Sequence, residues 1–213
     1  IVFDVETGGL DETKNPITQY AAVVLDGKTL KEIDRWETFI RPYGDLTIEQ
    51  RALDHTMVSM ADINKGLSVE KFIDTAITFW EQYMVRGRTR EQGRLIPVGH
   101  NVTFDLRFIN YALAFCGKPN IEQWMYPNFI DTLVFSKLAF GVKGDEKINL
   151  GAVCDLTKIK LTDAHGAMND TLATAELLRY FMRQLRSISS SGKTTVEERP
   201  KGIEFFEFKC AKK

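Results

Sequence analysis

Ile1-Val2-Phe3-Asp4-Val5-Glu6-Thr7 is the stretch on which the fold turns. Ile1 to Val5 reads as a buried strand, and if it continues through Glu6, side chains two apart share a face, so Asp4 and Glu6 present their carboxylates side by side. Two acids on one face of an otherwise apolar strand are costly unless they meet arginines or a metal. The chain opens on Ile inside this strand and without an initiator Met, so residues upstream are expected.

Working outward, Tyr20 to Leu25 reads as a second strand, and Asp26-Gly27 as a turn into a third across Ile33 to Ile40. There Trp36, Thr38 and Ile40 alternate with charged residues. Leu46 to Asp54 and Val69 to Met84 carry helical spacing, with Phe72, Ile73, Ala76, Ile77 and Trp80 in one apolar stripe. Leu95 to Gly99 is a short apolar strand. His100 to Thr103 turns into a helix marked by Phe108, Ile109, Ala112, Leu113 and Cys116. Helices are predicted over Phe129 to Ala139 and Asn149 to Cys154, a loop over Leu161 to Gly166, and a helix from about Ala167 with Leu178, Phe181, Met182 and Leu185 inward.

Three antiparallel strands followed by alternating strand and helices predict an α/β domain with a mixed central sheet flanked by helices. Sites in such sheets gather at strand ends and adjoining helix starts. Asp4, Glu6, Asp105, His165 and Asp170 all fall at such places, giving four carboxylates and one imidazole from three separated stretches. Four oxygen donors suit Mg²⁺ or Mn²⁺, two such ions could share them, and nothing offers the sulfur or imidazole cluster of a zinc site. Taken singly, Asp105 in a first helical turn would only favour the helix dipole, and Asp170 would be a surface acid. Their joint spacing with Asp4 and Glu6 is what carries the chemistry.

With 213 residues, 44% of them apolar and 27% charged, the chain suits one full domain, read as residues 1–186. Its apolar runs fall short of the ~20 residues of a membrane helix, and no secretory segment opens it. Cys116, Cys154 and Cys210 are odd in number and widely spaced, which fits reduced thiols and a cytoplasmic protein. The net charge of −1 becomes +3 once the four proposed ligand carboxylates are set aside, a balance compatible with a phosphate-bearing partner. From Ser187 to Gly202 the composition shifts to a flexible linker, and residues 203–213 form an aromatic and basic tail. That tail reads as an edge strand, a docking peptide or the start of a further domain. Four arginines between Arg86 and Arg94 form a loop that suits phosphate contact or plain solvation.

Phe3-Asp4-Val5-Glu6-Thr7, His100-Asn101-Val102-Thr103-Phe104-Asp105 and His165-Gly166-Ala167-Met168-Asn169-Asp170 together resemble the three motifs of the DEDDh family of 3′-to-5′ exonucleases. This ribonuclease H-like group includes the proofreading epsilon subunit of bacterial replicases. The resemblance runs from Ile1 to about Leu185. The five-residue step from His165 to Asp170 matches the histidine branch rather than its tyrosine sister, so the implied general base is an imidazole. The chain departs from the pattern at Gly8 and Asn169, outside the ligand set. The resemblance implies that Asp4 bridges two ions, that Glu6 and Asp170 hold the water-bearing ion, and that Asp105 helps to hold the other. It also implies that Thr7, Leu10, His55, Asn101 and Phe104 meet the terminal nucleotide, with Leu10 and Phe104 flanking its base.

The function expected is therefore hydrolysis at the 3′ ends of single-stranded or frayed DNA, releasing nucleoside 5′-monophosphates, in proofreading or repair. DNA is favoured over RNA. The alternatives are an exoribonuclease and a nuclease-fold adaptor that recruits a polymerase or other protein through the tail. No membrane partner is expected.

Overall fold

The computed structural model describes residues 1–56, 58–85, 93–141, 148–161 and 166–191, with side chains as far as residue 187. Strand β1 (Val2–Thr7) pairs antiparallel with β2 (Ile17–Leu25), which pairs antiparallel with β3 (Glu32–Phe39). On the other side of β1, two short parallel strands complete the sheet: β4 (Val98–Gly99) and β5 (Ile130–Asp131), giving the order β3-β2-β1-β4-β5. The mixed sheet flanked by helices is the architecture expected.

Alternation along β1 divides the core. Phe3 and Val5 enter a large cluster with Phe72, Ile73 and Trp80 of α3 (Val69–Tyr83) and Phe108, Ile109 and Leu113 of α4 (Val102–Phe115). Val2 faces the opposite way, joining Val98, Ala175 and Leu178 of the long helix α7 (Ala167–Ser191). Asp4 and Glu6 share the parity of Val2, and the helix that covers their face is α7. The indole N–H of Trp80 donates to the Tyr20 hydroxyl at 3.1 Å, so these two polar groups satisfy each other inside the aromatic core.

The remaining helices are α1 (Gln50–Thr56), α2 (Met60–Lys65), α5 (Thr132–Phe140) and α6 (Leu150–Thr157), with a 3₁₀ turn at Ile121–Gln123. Several boundaries differ from those predicted. The helix placed over Leu46 to Asp54 begins only at Gln50, because backbone bonds from Thr47 to Lys14 and from Glu49 to Gly8 hold the preceding residues to the β1–β2 loop. Helix α2 was not anticipated, although Ser59 caps it by accepting from Asp62 N, the Ser-x-x-Asp signature of a helix start. Ile130 and Asp131, predicted as helix, form β5 instead: Ile130 pairs beside Val98, and Asp131 then caps α5 through Leu133 N. The strand predicted over Leu95 to Gly99 is regular only at its last two residues, with Leu95 bridging to Met125.

Helix α7 continues past Leu185, and the change of composition at Ser187 does not end it. Its backbone is helical to Ser191, just before Gly192, since serine lowers helix propensity only slightly and no Gly or Pro interrupts the run. The rest of the proposed linker and the tail from Ile203 lie outside the described residues. No helix among the described residues is long and apolar enough to cross a membrane. Cys116 and Cys154 are free thiols.

Candidate active site

Where β4 ends, the chain turns sharply away. Asn101 adopts φ +65, a left-handed conformation that asparagine tolerates, and its N–H is held by the Asp131 carboxylate at 2.9 Å. Beyond Gly99 the edge of β1 therefore has no neighbouring strand to pair with among the described residues. The first turn of α4 fills that place with Asp105, which is buried and whose Oδ1 accepts from Val5 N at 2.9 Å. A switch between parallel strands thus opens a cleft at their carboxyl ends, as such sheets do.

Asp4 and Glu6 lie half-buried on the floor of this cleft, and Asp170 in the first turn of α7 comes down onto them. Oxygens from the three carboxylates lie within 4.8 Å of one another. Two residues pin the start of α7 to the sheet. Gln19 accepts from Ala167 N at 3.3 Å while donating to Glu37 at 2.7 Å, and the Thr171 hydroxyl donates to Ala21 O at 3.4 Å. Ala21 and Gln19 are the register partners of Asp4 and Glu6, so these bonds hold Asp170 over the acids. Sequence reading passed over Gln19, a buried polar strand residue whose only signal was its polarity in an apolar run.

Electrostatics record the crowding. Burial pushes the Asp4 carboxyl up to about 8, with Asp170 adding to it. Glu6 rises to about 9 through burial and then through Asp4 and Asp170. Asp105 is also pushed well above the usual carboxylate range, first by burial and then by Asp4, against the opposing pull of the Val5 N–H. Carboxylates crowded in this way suit a divalent ion, and all their donors are hard oxygens. Asp105 lies outside the three-carboxylate cluster but lines the same cleft, beside Asp4 in charge coupling.

The cleft holds about 490 Å³ and is open to solvent. All four proposed ligands line it, as do Thr7, Leu10, His55, Asn101 and Phe104. Leu10 is 69% exposed at its mouth, on the loop that follows β1. Phe104 packs its ring on Phe108 at 4.8 Å between centroids, and Asn101 and His55 are exposed. Thr7 is buried and its hydroxyl donates to Gly9 O at 2.6 Å, which shapes the loop bearing Leu10. Gly8, the departure from the family pattern, has a local reason: a Cβ there would sit 2.9 Å from Pro16 Cδ. His165 lies outside the described residues, as do residues 86–92 of the arginine run. Arg94, at the end of that run, serves the fold: it donates to Glu122 O at 2.7 Å and covers the Tyr126 ring.

Two further residues of the cleft were not singled out from sequence. Arg51 lines it from α1, one turn before His55. His100 lines it from the end of β4, its Nδ1 3.0 Å from the Thr132 hydroxyl, which itself donates to Gly99 O at 3.0 Å. With that proton committed, the Thr132 oxygen accepts from Nδ1–H, and the Nε2 of His100 is left as an acceptor. Burial lowers the pKa of His100, which favours the neutral ring.

The exonuclease family RNase_T matches residues 1–178. The chain belongs to that exonuclease family. Its relatives include the PolC-type DNA polymerase III of Bacillus cereus, 29% identical over 193 residues, covering 90% of this chain and 12% of the polymerase. Ribonuclease T of Shewanella oneidensis is 26% identical over 193 residues, covering 88% of this chain and 83% of that enzyme. Among solved structures, Exonuclease I of E. coli in complex with a dT13 oligonucleotide superposes with a TM-score of 0.68 at 20% identity, over 88% of this chain and 42% of that one. The chain thus spans about an eighth of the length of the PolC-type polymerases that it matches. The family is one of 3′-to-5′ exonucleases, phosphodiester hydrolases of ribonuclease H-like fold.

Proposed function

We propose that this domain uses two divalent ions, Mg²⁺ or Mn²⁺, to remove nucleotides from the 3′ ends of single-stranded or frayed DNA, releasing nucleoside 5′-monophosphates. The observation that carries the reading is the meeting of Asp4, Glu6 and Asp170 oxygens within 4.8 Å, with Asp105 lining the same open cleft. Asp4, Glu6 and Asp170 would hold one ion, and Asp105 with Asp4 the second. The ions supply positive charge to the attacking and leaving oxygens of an in-line displacement.

The protein residues do the rest. His165 takes the proton of the attacking water, as a neutral imidazole can near pH 7. Leu10 and Phe104 flank the terminal base, one aliphatic and one aromatic, in the manner by which single strands are held. Thr7 shapes the Leu10 loop, and Asn101 and His55 offer polar contacts at the rim. The domain extends through α7, which reaches Ser191, with a linker and tail beyond that helix.

DNA is favoured because the PolC-type polymerases match at the highest identity given above, and a proofreading or repair setting follows from the same likeness. A polymerase is then the partner proposed, reached through the tail, and the setting is cytoplasmic. RNA is the second reading, supported by the nearly full-length match to ribonuclease T. The deciding experiment is incubation with 3′- and 5′-labelled single-stranded DNA and RNA in Mg²⁺, Mn²⁺ and chelator. The proposal expects stepwise loss from the 3′ end of DNA, faster than from RNA, and none in chelator. Cleavage that persists in chelator, or that starts from the 5′ end, would overturn it.

A further inference from the structure

A cleft floored by carboxylates must still receive a polyanion, and the bound ions answer only for the phosphate being cleaved. The other phosphates of the strand need their own cationic partners. Arg51 is the one Lys or Arg lining the cleft among the described residues. Lys14 and Arg107 stand nearby in the fold but outside the lining, paired with Asp11 at 2.7 Å and Glu12 at 3.5 Å.

Arg51 is built as a loaded arm. Its side chain is 73% exposed, and its Nε meets Glu49 Oε2 at 2.5 Å. Glu49 is the fixed half of the pair. Its backbone N–H donates to Gly8 O at 2.8 Å, and its Oε1 accepts from Asn15 Nδ2 at 3.4 Å, so it is tied to the same loop that carries Leu10. An exposed ion pair of this kind contributes little to stability, and its exchange for a phosphate is correspondingly easy. A guanidinium also presents a second donor edge that fits two phosphate oxygens. Among the described residues Arg51 pairs with Glu49 and forms no ion pair with the four acids of the cleft.

We propose that Arg51 is a strand-positioning residue: it takes the backbone phosphate next to the scissile one, exchanging its contact with Glu49 for that phosphate. This rests on the exonuclease reading above, which supplies the strand and its direction.

The test is anisotropy of a 5′-labelled octathymidylate in Ca²⁺ across a range of NaCl, with the parent protein, R51Q, R51K and E49Q. R51Q should weaken binding about tenfold at low salt, the size of one charge-assisted contact. It should also flatten the log–log salt slope by about 0.7, the single-strand value for one phosphate. R51K should keep most of the slope, and E49Q should bind at least as tightly as the parent. On a strand whose linkage next to the scissile one is a neutral methylphosphonate, the R51Q effect should vanish. An R51Q loss of equal size on the native and the methylphosphonate strand, or an unchanged salt slope, overturns the assignment. Failure of the unmodified protein to release mononucleotide in Mg²⁺ would sink the exonuclease reading instead, and leaves the binding comparison readable.

Discussion

The carboxylate of Asp105 accepts the backbone N–H of Val5 at 2.9 Å, joining α4 to β1 where no strand is left to pair. One group thereby closes an exposed sheet edge and lines the cleft. The two duties separate by substitution. Asp105→Asn keeps an oxygen for Val5 N–H and removes a charge that Asp4 repels, so it should fold as stably as the parent. Asp105→Ala leaves a buried N–H without its acceptor and should cost about 1–3 kcal/mol. Urea unfolding in chelator checks the difference, and both variants should lose cleavage.

Stability without metal should fall as pH rises. Asp4 and Glu6 hold their protons more tightly folded than unfolded, so their favourable contribution is complete in acid. It is lost between the ordinary 3.8 and about 8 for Asp4, and between 4.5 and about 9 for Glu6. Thermal melts in chelator should show this decline, and Asp4→Asn should flatten it. Added Mg²⁺ should raise the melting temperature more at alkaline than at acid pH, because the ionised acids are its proposed ligands.

Gln19 positions Asp170 through Ala167 N and makes no direct contribution to the acid cluster. Gln19→Ala should loosen the start of α7 and lower kcat by about tenfold, in line with the cost of misplacing a reacting group. KM for DNA should move little, and higher Mn²⁺ should restore part of the rate. A loss confined to KM would contradict a positioning role.

His165→Ala should lower turnover by about 10²–10⁴-fold while DNA binding is largely kept, the range of a lost general base. The acid limb of the rate profile should flatten with it. Steady-state kinetics over pH, beside equilibrium binding, check both.

Much of this centre was legible in the chain. Alternation put Asp4 and Glu6 on one face, and periodicity put Asp105 and Asp170 in first turns of helices, where they stand. What escaped was set by tertiary contacts. Residues 46–49 lose their helix to bonds with Lys14 and Gly8, and the two-residue strand β5 exists only because β4 offers Ile130 a partner. Gln19 and Arg51 carry no motif, and their places follow from what α7 and the Leu10 loop bring near them. Helix α2 is a different case, since its Ser59–Asp62 cap was written in the sequence and passed over.

Anomalous diffraction at the manganese edge, from crystals soaked in Mn²⁺ and a nucleoside 5′-monophosphate, can locate the pair of divalent ions proposed for the acids of the cleft. Two peaks about 3.5–4 Å apart are expected, one among Asp4, Glu6 and Asp170 and the other between Asp4 and Asp105. No peak among these carboxylates, or ions bound elsewhere while the protein still cleaves DNA, would contradict the two-ion proposal.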